Sequence, residues 1–192
     1  MRFHDLRNVI DGIRRYYPVS DRSLELLIPH LSKLVLSKQH MLTVPGRKDR
    51  NAYFIEQGCS RTFLLIDDKE VTNWFSREGD FTFSSNSLYH QSAGFEYVEL
   101  LEDSIIYAIP ISTLNTFYET NIEIANWGRV IHQEVLLRMQ TLRLERMSLT
   151  AKERYQKFVS ENPDLINRVN LGQIASFLGM TQQHLSALRA EG

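Results

Sequence analysis

The amino-acid sequence predicts an α+β fold, in which an antiparallel β-roll or jelly roll is followed by a long helix and a C-terminal helix-turn-helix. Short β-branched and aromatic runs separated by turn-forming residues fill residues 35–111, a pattern typical of an antiparallel sandwich or barrel. Helical periodicity returns at about Leu114 and persists. The predicted divisions are residues 1–119 for the β-roll with N-terminal helices, 120–147 for the long helix and 148–192 for a winged-helix-like domain.

The N-terminal segment, residues 5–34, is predicted to be largely helical. Ser20 or Asp21 is suited to cap a helix there. Pro29 lies inside the segment and is expected to kink the helix or to split it in two. The apolar residues that recur at helical spacing are Leu24, Leu27, Leu31 and Leu34.

The middle of the chain is predicted to form strands that are joined by tight turns. Pairs of turn-forming residues such as Pro45-Gly46 and Glu102-Asp103 separate the apolar runs. The segment Asp67-Asp68-Lys69 is expected to form the tip of a hairpin between two well-patterned strands. The predicted strands are residues 53–55, 61–66, 71–75, 95–101 and 104–109.

The long helix carries two apolar stripes, and both need to be buried. One stripe runs from Ile124 through Trp127 and Ile131 to Leu142, and the other has a seven-residue spacing. We expect one stripe to cover the β-roll and the other to pair with the same helix of a second chain. A single helix buried inside one large domain is the alternative. The predicted interface of the homodimer comprises Trp127, Val130, Ile131, Leu137 and Leu144.

Composition narrows the class of function. No apolar run approaches the roughly 20 residues that cross a bilayer, and residues 1–17 lack the apolar core of a signal peptide. A cytoplasmic protein without a membrane partner is therefore expected. Cys59 is the only cysteine, the six histidines are scattered, and His90 alone lies in the strand region. Because metal sites need clustered ligands, no metal, no cofactor and no enzyme activity are expected, and a cupin-like enzyme is the least favoured alternative.

The C-terminal segment, residues 170–192, has the spacing of a helix-turn-helix. Ala175 is small where two helices cross, Gly179 supplies the left-handed turn, and Thr181 caps the second helix. A helical hairpin used only for packing is the alternative. Residues 128–192 also hold 9 basic against 6 acidic side chains, a modest attraction for phosphates. The polar face expected to read base edges or contact phosphates of double-stranded DNA comprises Thr181, Gln182, Gln183, Ser186 and Arg189.

Several short motifs carry a resemblance to a known family, namely YFIEQG at 53–58, DKEVT at 68–72, WF at 74–75, EGDF at 78–81, LEDS at 101–104, and residues 173–189. With the features above, they resemble the Crp/Fnr family of bacterial regulators, and the short members from Bacteroidetes most of all. The resemblance covers nearly all of the chain. It implies a cyclic-nucleotide-binding-like β-roll, dimerisation through the long helix, and a transcription regulator with DNA and RNA polymerase as partners.

The resemblance also implies an effector pocket, whose expected residues are Gly79, Asp80, Phe81, Ser92 and Ala93. Family members that bind cyclic AMP hold its phosphate with an arginine, but no arginine lies between Phe81 and Gly128. Binding of cyclic AMP is therefore not expected, and an unidentified small-molecule effector stays open. Few residues follow Arg189, so little of a wing is expected, and a ligand sensor that signals to a partner protein is a further alternative.

Overall fold

The structure is a computed structural model that describes residues 3–190. Within this range it has eight α-helices and eight strands, with short 3₁₀ segments at 3–6, 28–30 and 165–167. The helices are α1 (Arg7–Tyr16), α2 (Asp21–Leu27), α3 (Ser85–His90), α4 (Ile111–Thr120), α5 (Ile122–Ser148), α6 (Ala151–Glu161), α7 (Leu171–Phe177) and α8 (Gln182–Ala190). The strands are β1 (Ser32–Leu36), β2 (Met41–Thr43), β3 (Asn51–Gln57), β4 (Ser60–Ile66), β5 (Lys69–Ser76), β6 (Phe81–Thr82), β7 (Tyr97–Leu100) and β8 (Ser104–Pro110).

The strands form two four-stranded sheets, with the orders β1-β8-β3-β6 and β2-β7-β4-β5. The neighbours β1–β8, β3–β8, β3–β6 and β2–β7 are all antiparallel. Tyr53, Ile55 and Leu100 share a buried cluster with Ile106 and Ala108, as the alternation of inward and outward residues along a strand requires. The predicted α+β fold with an antiparallel β-roll is confirmed.

The described residues divide into two compact units, one of residues up to Thr62 with Phe75–Glu134, the other of Phe63–Trp74 with the residues from Val135 onward. The core of the first unit is rich in aromatic rings. Phe54 and Phe81 lie 5.7 and 5.3 Å from Trp127, measured between ring centroids. Trp127 is only 1% exposed, so the first turns of α5 are part of this core.

The helix α1 is held against β3 and the turn before β6. The carboxylate of Glu56 accepts the backbone N–H groups of Asn8 and Val9 at 3.2 and 3.1 Å. Gly12 is needed at this contact, because a side chain there would collide with the backbone carbonyl of Gly79.

The N-terminal prediction was wrong in one respect, because the helical segment ends before Leu34. The helix α2 stops at Leu27, a 3₁₀ turn contains Pro29, and Leu34 belongs to β1. Proline disfavours a continuing helix, and β1 gains a full antiparallel partner in β8, where Leu34 lies opposite Ile106. Leu34 is therefore apolar because it faces the buried cluster between strands, not because a helix continues.

Candidate nucleic-acid interface

The helices α7 and α8 are joined by the left-handed turn that the sequence predicts. Gly179 has a φ of +68°, and the backbone N–H of Met180 donates to the carbonyl of Ala175 at 3.0 Å. Ala175 is 1% exposed, which leaves no room for a larger side chain between the helices. The helix-turn-helix geometry therefore rests on Ala175 and Gly179.

Polar side chains at the helix starts stabilise both helices. The side-chain oxygen of Asn170 accepts the N–H of Gln173 at 2.9 Å at the start of α7. The hydroxyl of Thr181 accepts the N–H of His184 at 3.2 Å at the start of α8, so the expected cap is present. Leu185 is fully buried and Leu188 half-buried, which fixes the inner face of α8.

The opposite face of α8 is open to solvent. Each side chain that the sequence nominates for DNA contact is exposed, namely Thr181, Gln182, Gln183, Ser186 and Arg189. None of these side chains carries an apolar surface that would call for a protein partner. The structure thus brings the predicted reading residues together on one accessible face.

Basic residues near this face differ in their availability. Three of those suited to contact DNA phosphates already have protein partners: Arg146 donates to the carbonyl of Phe177, Arg154 to that of Leu178, and Lys157 pairs with Glu145. By contrast, Arg143 and Lys152 are exposed, and neither makes an ion pair within residues 3–190. Arg146 and Arg154 instead donate to carbonyls at the carboxyl end of α7, where the last carbonyls of a helix have no partner within the helix.

Sequence reasoning missed one contact of the helix-turn-helix. The hydroxyl of Ser176 accepts the backbone N–H of Thr72 and donates to the carbonyl of Glu70, both at 2.8 Å. These atoms belong to the hairpin of β4 and β5, more than 100 positions earlier in the chain. No local pattern signals such a contact, which depends on the folded arrangement of the second unit.

The long helix α5 has one buried and one exposed apolar side. Trp127 and Ile131, which the sequence nominates for the dimer interface, are 1% and 5% exposed within a single chain. They pack in its own core, and Val130 is half-buried. Leu137 and Leu144 are 60% and 63% exposed. Of the residues nominated for the dimer, these two leucines are the ones that a partner could cover.

Other apolar side chains widen the exposed side of α5. Leu136, Met139 and Met147 are 58%, 45% and 75% exposed. Together with Asn73 of β5 and the basic Arg143, they line a groove of about 540 Å³. Helical spacing places the exposed leucines and methionines on one side of the last four turns of α5, where they stand beside polar and basic side chains of the groove.

The residues nominated for the effector pocket lie in three different surroundings. Asp80 accepts the N–H of Arg77 at 2.9 Å and pairs with Arg15, and burial raises the pKa of its carboxyl. Gly79 is packed against α1, and Phe81 belongs to the aromatic core. Ser92 and Ala93 are exposed in the loop after α3. The structure thus gives these five residues different partners and different degrees of burial.

A carboxylate that the sequence analysis did not single out lies at the start of α3. Glu96 is 4% exposed and accepts the N–H of Ser85, the first residue of α3, at 2.7 Å. Among residues 3–190, its second oxygen and the hydroxyl of Ser84 are buried and have no hydrogen-bond partner. The amide at this end of α3 is therefore already bonded to a negatively charged group of the protein.

Two other kinds of site, a metal centre and a membrane-spanning helix, have no candidate in the part of the chain that the structure describes. Within residues 3–190, no three His, Cys, Asp or Glu side chains come together in a way that would hold a metal ion. The same part of the chain contains no helix with the length and apolar character needed to span a membrane.

Comparison with known proteins identifies the fold. No family model and no curated protein sequence matches the chain. Among solved structures, the c-di-GMP responsive global regulator CLP of Xanthomonas campestris is 13% identical, with 90% of this chain and 91% of that chain covered and a TM-score of 0.75. A protein from Eubacterium rectale, described as a transcriptional regulator of the Crp/Fnr family, is 16% identical over 93% and 89%, with a TM-score of 0.72.

A third structure gives the same result. FixK2 from Bradyrhizobium japonicum is 18% identical, with 84% of this chain and 83% of that chain covered and a TM-score of 0.69. CLP is a global regulator and the Eubacterium rectale protein a transcriptional regulator, and the matches to the three structures cover 84–93% of this chain. The chain therefore has the fold of the Crp/Fnr regulators, a cyclic-nucleotide-binding-like β-roll with a helical C-terminal domain.

Proposed function

We propose that the protein is a homodimeric, sequence-specific DNA-binding transcription regulator of the Crp/Fnr type. The observation that carries the proposal is the exposed polar face of α8, which follows a left-handed glycine turn and is capped by Thr181. A polar face is common to surface helices, and α8 differs in that its face follows the left-handed turn at Gly179 and begins with hydroxyl and amide side chains. A helix inserted in the major groove needs polar side chains that reach base edges.

The chemistry of this face suits base reading. The amide of Gln183 or Gln182 can bond adenine through two hydrogen bonds, and Arg189 can bond guanine or a phosphate. Residues at the start of a recognition helix make most base contacts, which favours Thr181 and the two glutamines. Arg143 and Lys152 are the basic residues of this region best placed to meet phosphates, because their charges are not paired within the described chain.

Dimerisation follows from the exposed side of α5. A helix of 27 residues is about 40 Å long, and its last four turns expose leucines and methionines. Clusters of exposed apolar side chains often mark protein–protein interfaces. Pairing of Leu137 and Leu144 with their symmetry mates in a second copy would bury this surface and present two copies of α8 to DNA.

The protein is further proposed not to respond to cyclic AMP. A cyclic phosphodiester is an anion that needs helix N–H groups and a guanidinium. No arginine lies between Phe81 and Gly128, and the carboxylate of Glu96 already accepts the first N–H of α3. A phosphate placed there would be repelled by that carboxylate. Titration calorimetry with cyclic AMP should therefore show no binding, and saturable binding would contradict this part of the proposal.

The test of DNA recognition compares the duplexes that three proteins select from a random library. These proteins are the wild type, Gln183→Ala and the control Gln156→Ala, whose glutamine is exposed on α6 outside α7 and α8. Loss of a two-bond amide contact costs about 1–3 kcal/mol of base discrimination, so Gln183→Ala should relax one position of each half-site. The control should select the wild-type sequence.

The same assay separates base readers from phosphate contacts. Lys152→Ala should weaken binding to all sequences alike and reduce the salt dependence, without changing the selected sequence. If Gln182→Ala and Gln183→Ala both select the wild-type sequence, the assignment of α8 as the reading helix is wrong.

A further inference from the structure

A cavity of about 610 Å³, lined mostly by residues with polar side chains, lies in the first unit at the start of α4. It is separate from the α3 amide that Glu96 occupies, since its contact with α3 is through Ser87 and through Gln91 beyond the opposite end of that helix. The polar side chains that line it and carry the argument are Lys48, Arg50, Asn51, Gln91, Ser112 and Asn115.

The two cations of this cavity are available for a ligand. Lys48 and Arg50 are exposed, and neither makes an ion pair within residues 3–190. Asp49, the acidic residue between them, also lines the cavity. Its carboxylate accepts the hydroxyls of Thr43 and Tyr53 at 2.8 and 3.1 Å. Asp49 is thus held by uncharged donors, so the two cations keep an excess of positive charge in the cavity.

Neutral donors stand beside these cations. The N–H of Ile111 donates to the carbonyl of Arg50 at 2.9 Å, which ties the basic loop to the first turn of α4. Ser112 and Asn115 are three positions apart on α4 and therefore lie on the same side of it. The residue before α4, Pro110, offers no side-chain cap, so the positive end of this ten-residue helix adds to the field of Lys48 and Arg50.

We propose that this cavity binds a small organic polyphosphate, such as a nucleoside triphosphate, whose adjacent phosphates can engage both cations. A cyclic phosphodiester carries a single negative charge and is not its ligand. The volume of the cavity lies within the range of about 300–1,000 Å³ usual for small-molecule sites, which leaves room for an organic group beside the phosphates. The guanidinium of Arg50 and the ammonium of Lys48 supply charge-assisted hydrogen bonds to phosphate oxygens. The amides of Asn51, Gln91 and Asn115 can bond a polar organic group. This proposal does not depend on DNA binding by α8.

Calorimetric titration with inorganic pyrophosphate and adenosine 5′-triphosphate tests the proposal. The wild type should bind the triphosphate, and the double variant Lys48→Gln/Arg50→Gln should lose about tenfold or more in affinity for each cation removed. Arg47→Gln is the matched control, because Arg47 is an exposed cation of the same loop that does not line the cavity. It should bind the triphosphate as the wild type does.

A second variant tests the neutral side of the cavity. Asn115→Asp keeps the size of the side chain but adds a negative charge, so it should reduce triphosphate binding by at least tenfold. Circular dichroism of each variant verifies the fold. Absence of binding by the wild type at millimolar ligand, or an equal loss in Arg47→Gln, would overturn the proposal. The proposal would also be overturned if the wild type did not bind the triphosphate and the double variant lost affinity for duplex DNA. Lys48 and Arg50 would then contact DNA phosphates.

Discussion

Replacement of Leu137 by alanine should weaken the homodimer by a predictable amount. Complete burial of a leucine side chain stabilises by about 1.5–3 kcal/mol, and Leu137 is 60% exposed in one chain. Burial of that exposed part on dimerisation is therefore worth about 1–2 kcal/mol per copy, and about 2–4 kcal/mol for the symmetric pair. Alanine keeps only the Cβ carbon of the side chain. We expect a loss of about 2 kcal/mol, which raises the dimer dissociation constant about 30-fold.

Sedimentation equilibrium of the wild type, Leu137→Ala and Leu26→Ala over a range of protein concentrations measures this effect. Leu26 is a matched control because it is 54% exposed but lies on α2 and is not part of α5. It should leave the dissociation constant unchanged. Equal dissociation constants for the wild type and Leu137→Ala, or equal losses in both variants, would refute pairing through α5.

Three further substitutions test local features. Gly179→Ala should lower the free energy of unfolding in urea by about 1–2 kcal/mol, which is the strain of an alanine in the left-handed conformation. No steric clash adds to this strain, because no described atom lies within 4 Å of an added Cβ. Thr150→Ala should lower it by about 1 kcal/mol in the same assay, since the Thr150–Glu153 capping box of α6 is lost. Burial lowers the pKa of His132 below its ordinary 6.5. Below pH 6.5 the unfolded chain therefore binds a proton that the folded chain does not, and the free energy of unfolding of the wild type falls as the pH is lowered. His132→Phe should remove this decrease. Unfolding curves of the variant and the wild type at pH 5.5 and at pH 8 measure it.

Each of these expectations has a clear contrary result. Equal stability of Gly179→Ala and the wild type would mean that the turn does not require a left-handed residue. No loss in Thr150→Ala would mean that the cap of α6 does not contribute to stability. If the difference between His132→Phe and the wild type is the same at both pH values, His132 is not protonated on unfolding in that range.

The helix-turn-helix could be predicted because its determinants are local. The roles of Ala175, Gly179 and Thr181 depend on helix crossing, backbone conformation and capping within a few residues. Each is visible as a residue type at a fixed spacing. The β-branched and aromatic runs that predict β3 and β8 are equally local.

Features that depend on distant segments were not visible. The periodicity of α5 shows two apolar stripes, but it does not show which stripe is buried within the same chain. The structure places Trp127 and Ile131 in the core of that chain. The contact of Glu96 with α3 and that of Ser176 with the hairpin join segments whose approach depends on the folded chain. Leu34 has the helical spacing of its neighbours, but pairing with β8 decides its conformation.

Selection of duplexes from a random DNA library by the wild-type protein, at near-physiological salt and without added ligand, tests the central claim most directly. A dimeric reader should enrich a palindrome whose half-sites lie about one helical turn, or 10–10.5 base pairs, apart. Binding without enrichment of any sequence, lost steeply as salt rises, would show attraction to phosphates alone and would contradict sequence-specific recognition by α8.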